Sequence, residues 1–112
     1  MKVLTLKLGN KTFTTGKITA FMSKEAIKIN KDALRLAKIG QEIQQSDEND
    51  IDLISDMLEQ LQDLSNQKAW LITKVYEDKF TVDELENNLS SEEIDDQISL
   101  IINGISGIAR KN

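Results

Sequence analysis

The 112-residue chain has no cysteine, no histidine and no proline. Without cysteine there is no disulfide and no thiolate chemistry. Without histidine as well, most nucleophile–base pairs and most zinc sites are excluded. Carboxylates and lysines remain, but the acids fall in surface-like runs rather than at isolated apolar positions. The expectation is a protein that is not an enzyme, with no catalytic residue, no metal and no cofactor. The missing proline fits a chain dominated by helices. No apolar run is long enough to span a bilayer. The N-terminal residues lack the apolar stretch of a secretory signal, so a reducing cytoplasm is the expected location. Aromatics are scarce too: one Trp, one Tyr and three Phe.

Charge is plentiful but uneven. Residues 1–40 carry nine Lys/Arg against two acids, +7, and residues 41–112 carry five against seventeen, −12. A basic front can signal nucleic acid. Here the lysines are spaced singly, Arg35 is the only arginine among them, and the acidic remainder repels phosphate. The chain is therefore expected to bind neither nucleic acid nor membrane. Attraction between its two halves follows instead, within one copy or head to tail between copies.

The pattern predicts one α+β domain over 1–112, predominantly α-helical, with an N-terminal β-hairpin and four or five helices. Over residues 2–15, Leu4, Leu6 and Leu8 alternate with polar residues, the period of a half-buried strand. Gly9-Asn10 reads as a two-residue turn, and Thr12-Phe13-Thr14-Thr15 as the returning strand. Ser23 is the expected cap of a helix reaching about Ile43, with Ala26, Ile29, Ala33, Leu36, Ala37 and Gly40 on one stripe. Residues 41–50 are polar and acidic and read as a linker. The cluster around Asp47 and Asp52 lacks the glycine and distal glutamate of a calcium loop.

From about Asp50 to Glu77 a second helical pattern carries Ile51, Ile54, Leu58 and Leu61, pauses at Ser65–Lys68, and resumes at Leu71, Ile72 and Val75. One helix or two fit this equally. The last helix is announced by Ser90 and Glu93, a capping box. It carries Ile94, Ile98, Ile101, Ile105 and Ile108 at 4-3-4-3 spacing. Gly104 and Gly107 weaken its end by roughly 1 kcal/mol each. This isoleucine seam is the candidate partner-binding surface, and with the hairpin edge it offers a place for self-association. The expected core is Leu4, Leu6, Phe13, Leu36, Ile54, Leu58, Leu61, Trp70, Ile72, Val75, Tyr76, Phe80, Leu85, Ile98 and Ile101.

Between the two apolar stripes lies a corner. Leu71, Ile72, Val75 and Tyr76 make one helical face that Phe80 closes. Thr81 followed by Glu84 is a capping box, so a sharp turn leads into a short helix from Val82 to about Asn87. The stretch Tyr76-Glu77-Asp78-Lys79-Phe80-Thr81-Val82-Asp83, continuing to Leu89, resembles the signature of the tail assembly chaperones of long-tailed bacteriophages and of prophages of Gram-positive bacteria. Tyr76 stands where that family usually has phenylalanine. Glu77-Asp78-Lys79 replaces a turn that usually contains glycine. Asn88 replaces the glycine before Leu89, and asparagine also tolerates the left-handed conformation that ends a helix.

The resemblance covers the whole chain loosely and about fifteen residues well. It marks Tyr76, Phe80, Thr81, Val82, Asp83 and Leu89 as a structural corner. It implies a non-enzymatic chaperone acting in the bacterial host cytoplasm and absent from the mature virion. Its implied partners are the tape measure protein, kept soluble before the tube forms, and the tail tube protein. The competing reading is a generic helical interaction or scaffold module of another assembly.

Overall fold

The computed structural model describes residues 4–15, 17–45 and 51–110, with side chains of the last helix described through Ile102. The alternating start forms an antiparallel hairpin of β1 (Thr5–Leu8) and β2 (Lys11–Thr14). Gly9 and Asn10 connect them, with Leu8 opposite Lys11. Gly9 has φ +61°, the positive value that a two-residue turn requires there. One further rung lies outside the strands: the Thr15 N–H donates to the Leu4 carbonyl and the Leu4 N–H to Thr15 Oγ1, both at 2.9 Å. Leu4, Leu6 and Leu8 share one buried face. A lone hairpin is marginal in water, so this face is what ties it to the helices, with β1 against α3.

Among the described residues four helices follow: α1 (Ala20–Gln45), α2 (Ile51–Val75), α3 (Val82–Asn88) and α4 (Ser91–Arg110). The fold is α+β and predominantly helical. α1 packs on α2 and α4, and α2 also packs on α3 and α4.

Two boundaries differ from the sequence expectation. The cap of α1 is Thr19, not Ser23: the Met22 N–H donates to Thr19 Oγ1 at 3.2 Å, and the Ser23 N–H to the Thr19 carbonyl at 3.0 Å. Ser23 instead lies buried inside the first turns. α1 also runs through residues 41–45, half of the expected linker. Glutamine and glutamate are good helix formers, so the polar composition there marks lost burial rather than a lost helix. Residues 46–50, with most of the calcium-like cluster, lie outside the described residues.

α2 is a single helix through Ser65–Lys68, because Leu64 and Ala69 keep its buried side continuous across the polar interruption. It ends in a Schellman arrangement. The Asp78 N–H donates to the Thr73 carbonyl at 2.8 Å and the Glu77 N–H to the Lys74 carbonyl at 3.0 Å. Glu77 and Asp78 both have positive φ, 60° and 58°. The departure from a glycine-containing turn thus falls where the backbone is left-handed, at a cost of roughly 1 kcal/mol or more for a residue with a Cβ.

Both capping boxes form. Thr81 Oγ1 accepts from the Glu84 N–H at 3.1 Å while Glu84 Oε1 accepts from the Thr81 N–H at 3.0 Å. Ser90 and Glu93 make the same reciprocal pair at 3.2 and 2.9 Å. Asn88 does not end α3 by turning left-handed. Its side-chain amide donates to the Glu84 carbonyl at 2.7 Å, and the Leu89 N–H to the Leu85 carbonyl at 3.0 Å.

Candidate partner-binding surface

Tyr76 and Phe80 are buried, with ring centroids 5.5 Å apart, and Phe80 meets Phe13 of the hairpin edge-on at 5.0 Å. Such aromatic pairs add about 0.5–1.5 kcal/mol beyond area burial. Thr81 is the exposed cap, Asp83 is an exposed acid in the first turn of α3, and Val82 and Leu89 are half-buried. Lys79 Nζ donates to the Thr14 carbonyl at 3.1 Å, clamping the corner to the end of the hairpin.

The Tyr76 hydroxyl shows what the sequence reading missed. It donates to Gln97 Oε1 at 2.9 Å, and Gln97 Nε2 reaches the Thr5 carbonyl at 3.5 Å. One buried glutamine therefore links α2, α4 and β1. The available signal was its position: Gln97 is a polar residue set into the seam Ile94–Ile98–Ile101, and a buried amide needs partners. Burial pushes the Tyr76 hydroxyl up to about 12 from its usual 10.

Ile94, Ile98 and Ile101 face inward and are buried by the chain itself. A partner reaches them only by displacing α4 from its own core. The side chains of Ile105 and Ile108 lie outside the described residues.

The exposed apolar surface is elsewhere, on the first half of α2. Residues 18 apart on an α-helix are separated by five full turns and share one angular position. In α2 and its last turn this pairs Ile51 with Ala69, Leu53 with Leu71, Ile54 with Ile72, Met57 with Val75, and Leu58 with Tyr76. The later member of each pair is at most 1% exposed. Of the earlier members, Ile51 is 77%, Leu53 46% and Leu58 56% exposed, while Ile54 and Met57 are half-buried. The same apolar pattern is fully buried in one half of α2 and largely exposed in the other.

Three core expectations fail for this reason. Leu58, Leu61 and Trp70 are exposed, because among the described residues only α1 lies against the start of α2 and because Trp70 sits on its outer side. Ile54 and Phe13 are only half-buried. Ile27 and Leu34 of α1 are exposed as well.

The cleft between α1 and α2 is polar and small, about 130 Å³, lined by Asp32, Arg35, Leu36, Gln60, Asp63, Leu64 and Gln67. Small-molecule sites usually enclose about 300–1,000 Å³ of mostly apolar space. Among the described residues, no helix is long and apolar enough to cross a membrane.

The fold joins a closed core at one end to exposed apolar residues on α1 and α2 at the other. A family model described as phage tail chaperone protein matches residues 1–111, and the chain belongs to that family. No curated protein and no solved structure matches it. Membership gives the chain a role in phage tail assembly with protein partners.

Proposed function

We propose that this chaperone acts in long-tailed phages, binding the tape measure protein in the host cytoplasm, keeping it soluble and helping to recruit tail tube subunits. The observation that carries the reading is the open half of α2. A long helical partner with apolar faces needs an apolar strip to lie on, and helix-in-groove binding uses anchors at this spacing. Ile51, Leu58 and Leu61 supply such a strip. Acids on the same helix, Asp52, Asp56, Glu59 and Asp63, keep the complex soluble. Ile105 and Ile108 continue the register of the α4 seam and form a second contact in this proposal.

Co-expression tests it. The tape measure protein from the same genome is expected in the soluble fraction, bound to this chain. The variant Leu58→Asp/Leu61→Asp, folded by circular dichroism, is expected to leave it in the pellet. A tape measure protein that stays insoluble and unbound beside the wild-type chain overturns the proposal.

A further inference from the structure

The hairpin has two outer edges, and the fold treats them differently. In an antiparallel pair, residues that exchange backbone hydrogen bonds alternate with residues whose N–H and C=O point away from the partner strand. The Thr15 N–H donates to the Leu4 carbonyl, which fixes the phase. Along the register, Leu6 with Phe13 and Leu8 with Lys11 are then the bonded pairs. Thr5 with Thr14 and Lys7 with Thr12 turn their backbone groups outward. Two contacts agree with this phase. The Thr5 carbonyl receives Gln97 Nε2 at 3.5 Å, and the Thr14 carbonyl receives Lys79 Nζ at 3.1 Å.

On the β1 side α3 packs and Gln97 reaches in from α4. Along β2 no helix packs among the described residues. The N–H and C=O of Thr12 and the N–H of Thr14 therefore face outward, with no hydrogen-bond partner among the described residues. Both threonines are exposed. Cations surround these open groups. Lys11 begins the strand, Lys79 is held at its far end, and Lys7 stands opposite Thr12, all three exposed. Lys7 and Lys11 pair with no acid among the described residues, and Lys79 reaches Glu77 only at 3.9 Å. Between the threonines, half-buried Phe13 turns to the opposite face, opposite Leu6 and against Phe80.

We propose that the β2 edge takes a third strand, an extended segment of a partner protein in which acids alternate with apolar residues. In antiparallel addition, the residue opposite Thr12 exchanges both backbone bonds, and the residue opposite Thr14 accepts from its N–H. Acids at these two positions share the exposed face with Lys7 and lie between Lys11 and Lys79. The apolar residue between them lies beside Phe13 and completes its burial. A second copy of the hairpin fits poorly, because antiparallel pairing of two β2 edges sets Lys11 against Lys79 at both ends, like charge against like. The edge is separate from the α2 strip, so the inference goes beyond the proposed function and does not depend on it.

NMR amide exchange on the full chain tests it. In the free chain the Thr12 and Thr14 amides are expected to exchange fast and those of Leu6 and Phe13 slowly. Saturation with a blocked peptide of alternating glutamate and valine is expected to slow Thr12 and Thr14 by about tenfold or more. The same peptide with lysine for glutamate is expected to leave them unchanged. Thr12→Pro removes an outward N–H without touching the ladder. With its Leu6 and Phe13 amides still protected, this variant is expected not to bind the glutamate peptide. Leu58→Asp/Leu61→Asp is expected to bind it as the wild type does, which separates this edge from the α2 strip. A glutamate peptide that leaves both amides fast overturns the inference, as does a lysine peptide that slows them equally. Thr12 and Thr14 amides already slow in the free chain also overturn it, and slowing that grows with protein concentration makes a second copy the occupant instead.

Discussion

The two halves of α2 carry one pattern and have two fates. Leu71 and Leu53 share an angular position, as do Ile72 and Ile54, yet only the later residues are fully covered. Periodicity reports that a helix has an apolar face. It does not report what lies on that face. In this chain the corner at residues 76–80 leads into α3 and α4, which pack on α2, while the hairpin packs on α3. The first half rests on α1 and leaves Ile51, Leu53 and Leu58 exposed.

That contrast can be broken most strongly at the corner. Phe80 joins Tyr76 to Phe13, so Phe80→Ala is expected to destabilise the covered half by about 3–5 kcal/mol. Urea denaturation with an unchanged midpoint would place the corner outside the core.

A matched pair sharpens it. Leu71→Ala removes a fully buried side chain and is expected to cost about 2–5 kcal/mol. Leu58→Ala, the same chemical change on an exposed side chain, is expected to stay within about 0.5 kcal/mol. Equal losses in thermal or chemical melts would mean that the first half of α2 is covered after all.

The Tyr76 hydroxyl distinguishes the covered half by pH. Its folded value of about 12 lies above the ordinary 10, so the folded chain holds this proton more tightly than the unfolded one. The contribution is complete below about pH 10 and is lost as pH rises to about 12, a difference of about 2.7 kcal/mol for two units. Tyr76→Phe is expected to remove this part of the alkaline loss. Wild type and variant falling in parallel between about pH 9 and about pH 12 would contradict it.

The smallest effect runs the other way. Glu77→Gly relieves a left-handed backbone at the end of α2 and is expected to raise stability by up to about 1 kcal/mol. A drop in melting temperature would show that the Glu77 side chain matters more than its backbone.

What the sequence revealed and what it hid divide along physical lines. The capping boxes at Thr81–Glu84 and Ser90–Glu93 were readable because each is complete within four residues. The hairpin was readable because Leu4, Leu6 and Leu8 alternate around a Gly-Asn turn. The order of strands and helices followed from these local signals. Leu58, Leu61 and Trp70 were misplaced because covering a face depends on elements more than twenty residues away in the chain. Thr19 was passed over for Ser23 because several polar residues near a helix start can cap equally well in sequence. Gln97 escaped notice because its partners, Tyr76 and Thr5, are 21 and 92 residues distant.

That last separation has a consequence for how the chain is made. Thr5 is made first, and the glutamine that reaches it comes 92 residues later. At about 5–20 residues per second, the hairpin waits roughly 5–20 s before α4 arrives to complete the core. Until then its three leucines have no finished surface to rest on. The helical hairpin of α1 and α2 is built from nearer neighbours and can close earlier. The core around Gln97 therefore cannot be completed until α4 has been made.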